Sequence, residues 1–342
     1  MSKKRGSRVT LADVAALAGL SQSAVSLILN DRPGTRLSAD AAERVRAAAA
    51  ELGYRPNPVA RSLRLGKTLA IGMISDHVII TRYASSMIVG AMAAAKEHGH
   101  VVLMAETGGE PEALAEAVTM LDRRVDGVLI ALLGARMIDV PEMASGTPVV
   151  VVNGRTSAGH PSILPDEREA GFAVAQAVLD AGHRSIALLG ERDEARDERV
   201  SVTIGSRFAA INQTLAAAGV EPARAPLSRW TPATGYEATR RLMTERPDIT
   251  AVIAANDNIA FGVYEALSEL HLEIPGDVSV ISFDDDKVAS YHRPGLTTAR
   301  LPYQEMARIG VEMVLGARSP EDTLVPMPLI RRGSLGVLAG NR

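Results

Sequence analysis

The apolar positions near the start of the chain repeat with a helical spacing in three short stretches. Thr10 precedes the first stretch, Ser21 the second and Ser38 the third, and each hydroxyl residue is a good helix N-cap. Gly19 ends the first stretch, as glycine commonly does after a helix. The pattern predicts three short helices, with a tight glycine turn between the first two. This arrangement is typical of a helix-turn-helix, whose second helix lies in the DNA major groove.

From Thr68 onward, short apolar runs alternate with helical stretches. Apolar runs of this length are typical of buried parallel strands, and their alternation with helices is typical of doubly wound α/β folds. We predict strands at 69–74, 101–104, 127–130, 149–152, 186–189, 251–254 and 278–283, and helices at 87–98, 112–121, 169–181, 207–218, 234–244 and 259–270. The alternation occurs in two sets and predicts two lobes. Ligands of such sheets bind at the carboxyl ends of strands, here in a cleft between the lobes.

A short segment with two prolines separates these two patterns. Pro56 and Pro58 open it and Gly66 closes it. The residues between favour a helix, but the segment is too short to be a stable helix alone in water. We expect it to order only on DNA or against a partner chain. The predicted organisation is therefore a helix-turn-helix headpiece at 1–54, a hinge at 55–67 and a core at 68–342.

Length and composition are those of a soluble globular protein with more than one domain. The chain has 342 residues, of which 46% are hydrophobic and 23% charged. It has no cysteine, so disulfides and thiolate metal sites are excluded and a reducing cytoplasm is expected. No apolar run is long enough to cross a bilayer, and no apolar segment follows the basic start, so neither membrane insertion nor export is expected.

Charge is distributed unevenly along the chain. Residues 1–67 hold 12 Lys and Arg against 5 Asp and Glu, a net charge of +7. The remaining residues hold 25 basic and 35 acidic side chains, a net charge of −10. A basic headpiece on an acidic core indicates that the headpiece binds a polyanion such as DNA.

Motifs in both parts of the chain resemble the lactose-repressor (LacI/GalR) family. In the headpiece and hinge they are residues 9–21, Ala24-Val25-Ser26, Leu29-Asn30, Leu52-Gly53-Tyr54-Arg55-Pro56-Asn57 and Ala60-Arg61-Ser62-Leu63. In the core they are Gly182-His183-Arg184-Ser185-Ile186, Asn256-Asp257, Ala260-Phe261-Gly262, residues 274–280, Phe283-Asp284-Asp285 and residues 294–298. The resemblance covers nearly the whole chain. Over the core alone it extends to periplasmic sugar-binding proteins.

The resemblance implies a homodimer that binds double-stranded operator DNA through both headpieces. Gln22 and Ser23, at the start of the second helix, would read bases, because Gln pairs with adenine and Ser with several bases. Ser26 would contact either a base or a phosphate. Leu27 stands where many members carry a hydrogen-bond donor and could contact only a thymine methyl, so the operator sequence stays open. The contacts expected to go to phosphates or the groove are those of Ser21, Asn30, Arg32, Arg36, Arg55 and Arg61.

Leu63 matches the hinge leucine that wedges between base pairs in the minor groove of family operators. Apolar wedges of this kind kink DNA. Packing against the core is the alternative. The chain ends in a segment too short and too rich in glycine for a coiled coil, so a dimer is expected rather than a tetramer.

The resemblance also implies an effector site between the lobes. Arg207, Asn256 and Asp284 match the family's ligand residues, and these side chains can bind neighbouring hydroxyls of a sugar. Trp230 would stack on the ligand, or else belong to the core. The near wall is expected to include Asp76, Tyr83 and Met87. Asp166 and Asp257 are interpreted as structural, Asp166 at a helix N-terminus.

The implied lobes are about 69–168 with 299–325, and about 169–298 with 326–342. We favour a sugar effector because the loop near Asp76 lacks the paired aromatics that would clamp a purine, which is the alternative.

A solute-binding transport protein is an alternative for the core, but such a protein would lack the headpiece. No nucleotide-binding loop or metal-spaced histidine cluster is present, so neither an enzyme nor a cofactor is expected.

Overall fold

The computed structural model describes residues 9–29, 37–54, 66–81, 84–192 and 197–338. Within it the chain divides into two compact units, Met1–Thr68 and Leu69–Arg342. Several predicted contact residues lie outside the described ranges, namely Asn30, Arg32, Arg36, Arg55, Arg61, Leu63 and Tyr83.

The first unit contains the three predicted helices, α1 (Leu11–Ala18), α2 (Gln22–Leu29) and α3 (Ala39–Glu51). Thr10 and Asp13 form a reciprocal capping box at α1, in which the Thr10 backbone N–H donates to the Asp13 carboxylate at 2.7 Å. Gly19 ends α1 with φ 67°, in the left-handed region that glycine adopts without steric cost. The chain then bends by 102° into α2.

A small apolar core holds these helices together. Val14, Val25 and Val45, one from each helix, are fully buried. Alanines at 15, 18, 41, 48 and 49 fill the space between them. Their short side chains let the helix axes approach closely, which explains why so small a unit can form a core.

The second unit contains two six-stranded sheets within the described residues. The N-lobe sheet has the order β2-β1-β3-β4-β5-β11, and every pairing is parallel. Its strands are β1 (Ala70–Asp76), β2 (Val101–Glu106), β3 (Gly127–Ile138), β4 (Val149–Thr156), β5 (Ser162–Pro165) and β11 (Thr323–Val325). The helices of this lobe are α4 (Ser85–Glu97), α5 (Pro111–Leu121) and α10 (Tyr303–Val314).

The C-lobe sheet has the order β7-β6-β8-β9-β10-β12, with β12 antiparallel to β10. Its strands are β6 (Ile186–Leu189), β7 (Ala223–Ala225), β8 (Ala251–Ala254), β9 (Ser279–Asp284), β10 (Thr297–Arg300) and β12 (Leu329–Ile330). The helices are α6 (Glu167–Asp180), α7 (Ile204–Ala217), α8 (Pro232–Glu245) and α9 (Asp257–Glu269). The predicted architecture of a helical headpiece and two α/β lobes is confirmed.

Helices α8 and α9 pack with almost no space between their backbones. A Cβ atom at Gly262 of α9 would overlap the carbonyl oxygen of Pro232 in α8. Glycine at this position therefore allows a helix contact that no larger residue would permit.

The lobes are also joined by two backbone hydrogen bonds between β3 and the loop that follows β6. The N–H of Met137 donates to the carbonyl of Glu198 at 2.8 Å, and the N–H of Val202 donates to the carbonyl of Ala135 at 2.7 Å. Strand β3 makes these bonds because it continues to Ile138, beyond the predicted end at Ile130. The loop between β6 and α7 thus pairs with an extension of the opposite lobe.

Candidate functional site

The first turn of α2 forms an exposed polar surface on the headpiece. Ser21 caps the helix, since its hydroxyl accepts a hydrogen bond from the Ala24 N–H at 3.2 Å. Gln22 and Ser23 are exposed, while Ser26 and Leu27 are half-buried. The opposite face of α2 is anchored in the core. The predicted base readers are therefore held at the surface on a helix of fixed orientation.

Arg207 lies in the first turn of α7 and is held by Glu167, a residue that the sequence analysis did not select. Its Nε donates to Oε2 of Glu167 at 2.7 Å, and its Nη2 donates to Oε1 at 2.6 Å. Its Nη1 donates to the carbonyl oxygen of Ala255 at 2.5 Å. The exposed fractions of the two charged side chains are only 3% and 4%. The predicted ligand arginine is thus engaged in a buried bidentate ion pair.

Helix packing and an aromatic ring keep this ion pair in place. Gly171 of α6 approaches the backbone of Arg207 so closely that a Cβ would lie 2.5 Å from its carbonyl oxygen. The Phe283 ring lies 4.2 Å from the guanidinium carbon. Burial would lower the pKa of Arg207, but the charge and hydrogen bonds of Glu167 outweigh burial and raise that pKa.

Asp284 lies at the end of β9, beside Arg207. Its φ of 107° is rare for any residue other than glycine, and such strain is common at functional sites. Burial raises the pKa of Asp284 well above its ordinary value, the Asp257 charge adds to this rise, and Arg207 opposes it. The Asp284 carboxyl makes no side-chain hydrogen bond to the described residues, and it therefore has hydrogen-bonding capacity for a ligand.

Asn256 lies just beyond the end of β8, and Trp230 contacts Gly190, which directly follows the neighbouring strand β6. Asn256 caps α9, because its Oδ1 accepts from the Ile259 N–H at 3.0 Å. Its amide nitrogen makes no hydrogen bond to the described residues. The Trp230 ring lies 5.9 Å from the guanidinium carbon of Arg207, and its Nε1 donates to the Gly190 carbonyl at 2.9 Å. Trp230 is half-buried and packs against the C-lobe core.

Asp257 has a structural position directly behind this wall. Its carboxylate accepts hydrogen bonds from the Ser282 hydroxyl, from the Thr298 hydroxyl at 2.8 Å and from the Asp286 N–H at 2.7 Å. Burial raises the pKa of Asp257 to about 7 in spite of these donors. Asp257 therefore ties α9 to β9 and β10, in agreement with its structural interpretation. Asp166 caps α6 through the Glu169 N–H at 3.1 Å.

The N-lobe wall differs from the expectation. Met87 is fully buried on the inner face of α4 and packs in the N-lobe core, so its prediction as a wall residue is corrected. Asp76 is only 3% exposed, forms an ion pair with Arg136 and accepts from the Leu133 N–H at 2.6 Å. Asp76 thus organises the strand end rather than presenting a free carboxylate.

Asn153 is a further polar residue that the sequence analysis missed. It lies in β4 directly after the apolar run 149–152, has a φ of 61° and is 2% exposed. Its side chain donates to the Leu132 and Leu133 carbonyls at 2.9 and 3.0 Å. A polar residue at the end of an apolar strand is the signal that would have identified it. Among the described residues, no group of three or more His, Asp or Glu could hold a metal ion.

Comparisons with known proteins match both units of the chain. Residues 10–57 match bacterial regulatory proteins of the lacI family, and residues 175–335 match the periplasmic binding protein-like domain. The regulator AscG of Escherichia coli is 32% identical over 342 residues, which are 95% of this chain and 98% of the relative. This chain belongs to the LacI family.

Two further repressors and one solved structure are similar to this chain over most of its length. The ribose operon repressor of Haemophilus influenzae is 30% identical over 90% of this chain and 91% of its own length. The PurR repressor of Vibrio parahaemolyticus is also 30% identical over 90% of this chain and 91% of its own length. The crystal structure of the Lac repressor bound to ONPG is 27% identical, with a TM-score of 0.77 over 96% of this chain and 99% of that one.

These findings establish the general activity. This LacI-family protein is a DNA-binding transcriptional regulator with a helix-turn-helix headpiece and a small-molecule-binding core. No single described helix is both long and apolar enough to cross a membrane, and α1 and α2 meet that test only as a pair bent by 102°.

Proposed function

We propose that this LacI-family regulator is a repressor whose operator affinity is controlled by a sugar bound between the core lobes. One observation carries the proposal. Trp230, Asp284 and the Ala255 carbonyl, which directly precedes Asn256, lie around the buried Arg207 where β8 and β9 end. Ligands of open α/β sheets bind at this edge. A carboxyl, an amide and an aromatic ring suit the hydroxyls and apolar face of a sugar ring.

Relatives with sugar-related names support a sugar effector. A repressor named for a ribose operon and a Lac repressor bound to ONPG are both similar to this chain. Repressors named PurR are equally similar, so a purine corepressor is the second candidate. We favour the sugar because the described part of the loop after β1 contains no pair of aromatic residues to hold a flat base.

The headpiece would read the operator through Gln22 and Ser23, which are exposed at the start of α2. Ser21, Ser26 and Leu27 flank them. Phosphate contacts from Asn30, Arg32, Arg55 and Arg61, and the wedge role of Leu63, rest on the family resemblance. We propose that the protein acts in the cytoplasm, where operator DNA lies, and we propose no catalytic step and no cofactor.

We propose that a second copy of the chain covers an apolar surface on the N-lobe. Val89 and Met92 of α4 are 56% and 57% exposed, and Val101 and Leu103 of the edge strand β2 are 61% and 43% exposed. Exposed apolar groups beside an unpaired sheet edge are typical of a surface covered by a partner. The homodimer expected from the sequence would bury these side chains.

Operator binding with and without candidate effectors tests the proposal. An operator is first selected from random duplexes, and its binding is then measured by fluorescence anisotropy with sugars, purines and nucleosides added singly. We expect one sugar to change the operator Kd by at least about tenfold, within the usual range of allosteric coupling. A purine that does so while every sugar fails would establish the second candidate instead.

Two substitutions separate the DNA site from the effector site. Asp284→Asn should abolish the sugar response and leave operator binding intact, whereas Gln22→Ala should weaken operator binding and leave sugar binding intact. A normal sugar response in the Asp284 variant would remove this residue from the site.

A further inference from the structure

The charges around the candidate effector site are matched in an unusual way. Arg207 lies 5.9 Å from the Trp230 ring and its charge acts on Asp284, yet Glu167 neutralises it through two hydrogen bonds. Arg136, on the N-lobe side, is likewise paired with Asp76. Each of these two arginines is therefore already balanced by a carboxylate.

Geometry also hides the Arg207 guanidinium. Three of its five N–H groups donate to Glu167 and Ala255, and its side chain is only 3% exposed. One face of the guanidinium lies against the Phe283 ring. A ligand could reach at most the two remaining N–H groups, and it could not displace Glu167 without leaving a buried carboxylate unpaired.

The carboxyl group of Asp284, in contrast to the two arginines, has no ion-pair partner among the described residues. Asp285 is paired with Arg300 at 2.7 Å and with Arg332 at 2.6 Å, whereas the neighbouring Asp284 carboxyl has no ion pair among the described residues. An ionised Asp284 would repel an anionic ligand. A protonated Asp284 would donate to a hydroxyl but would add no positive charge to attract an anion.

We propose that the effector site selects an uncharged polyol and rejects phosphorylated or carboxylated ligands, because Glu167 neutralises Arg207 beside the unpaired Asp284. This inference rests on the proposed function, since it concerns the same cleft. A phosphate group carries about −1.5 to −2 charges at pH 7 and would meet the Asp284 carboxyl beside an arginine whose charge Glu167 already balances. A free sugar would bind through hydroxyls, which can donate to a carboxylate or accept from a carboxylic acid.

Inorganic phosphate tests the charge argument without knowledge of the effector. Its Kd is measured by titration calorimetry on the full-length protein, on Glu167→Gln and on Glu169→Gln. Glu169 is an exposed carboxylate of the same helix and provides the matched control. We expect the native protein to bind phosphate no more tightly than Glu169→Gln does. In Glu167→Gln we expect the phosphate affinity to rise by about tenfold or more, because removal of one charge a few ångströms away has an effect of that order.

Two results would overturn the inference. One is phosphate binding by the native protein that disappears in Arg207→Met. The other is a folded Glu167→Gln protein with no gain over Glu169→Gln. If Glu167→Gln does not fold, Asp284→Asn provides the second variant, because it removes the unpaired carboxyl and leaves the ion pair intact. It should also gain phosphate affinity, and the absence of a gain would overturn the inference.

Matched pairs of ligands separate this inference from the proposed function. Glucose and glucose 6-phosphate, and ribose and ribose 5-phosphate, are compared for their effect on operator binding. A response to a phosphorylated member alone would confirm sugar control and overturn the charge selection. If the phosphate results agree with expectation while only a purine base alters operator binding, the sugar proposal fails and the selection against anions stands.

Discussion

Replacement of Glu167 by methionine should destabilise the core strongly, because it leaves a guanidinium buried without its partner. Arg207 cannot escape by losing a proton, since an arginine stays charged at any ordinary pH. Removal of one partner of a buried ion pair typically costs about 3–5 kcal/mol of unfolding free energy. With side chains that are 3% and 4% exposed, this pair belongs to the fully buried class. For a core of this size, the loss corresponds to a fall of roughly 6–10 °C in Tm.

The double variant Glu167→Met, Arg207→Met should recover much of this loss. It removes both charges, and the two methionines can pack against Phe283 and Trp230. Replacement of a buried pair by apolar residues of similar volume is often neutral. We therefore expect the two substitutions to be strongly non-additive, with a coupling of about 2 kcal/mol or more.

Thermal unfolding followed by circular dichroism measures all three proteins. Glu169→Met serves as the control, because an exposed substitution on the same helix should change the unfolding free energy by less than about 0.5 kcal/mol. A Glu167→Met protein that melts within 2 °C of the native protein, or a double variant that loses the sum of both single losses, would refute the pairing argument.

Three further predictions concern other parts of the chain. Gly262→Ala should destabilise the C-lobe by about 2 kcal/mol or more, because its methyl group would force α9 away from Pro232. Chemical denaturation measures this loss, and an unchanged denaturation midpoint would contradict the close packing. Burial raises the pKa of Asp257 to about 7 and that of Asp284 well above its usual value, so the folded core holds protons that the unfolded chain releases above about pH 4. The unfolding free energy should therefore fall as the pH rises from about 4 toward 7. Asp284→Asn should reduce this dependence on pH by up to about 1.4 kcal/mol per pH unit. The same dependence in the native protein and the variant would refute the buried titration. Thr10→Ala should lower the unfolding free energy of the headpiece by about 1 kcal/mol, because it removes the α1 cap. Faster amide hydrogen exchange in the headpiece, with an unchanged Tm of the core, would show this.

Much of the fold could be predicted from local patterns. The headpiece helices follow from hydroxyl caps and Gly19, and the six predicted core helices begin within three residues of their predicted starts, whereas α10 was not predicted. Strands such as β7 and β12 were missed because they contain only three and two residues. The extension of β3 was missed because residues beyond Ile130 pair with β4 only after a break in register. Such long-range pairing leaves no local signal.

The site was harder to predict because its decisive contact joins residues 40 positions apart. Arg207, Asn256 and Asp284 could be selected because they match the ligand residues of the family that the sequence resembles. Glu167 precedes the predicted start of its helix at residue 169 and resembled an ordinary acidic residue. Yet it shares the buried stripe of α6 with Ala170, Gly171 and Val174, and a carboxylate on such a stripe requires a buried partner.

The two hydrogen bonds between the β3 extension and the loop before α7 define a threshold for opening the cleft. The lobes cannot separate at this edge by more than about 1 Å before the N···O distances exceed bonding range. Each bond contributes about 0.5–1.5 kcal/mol, so opening there requires about 1–3 kcal/mol. This is the size of a typical coupling energy between an effector and a distant ligand. The backbone of residues 135–138 and 198–202 would therefore set part of the free energy that opening the cleft requires, and with it the effector concentration at which the regulator responds.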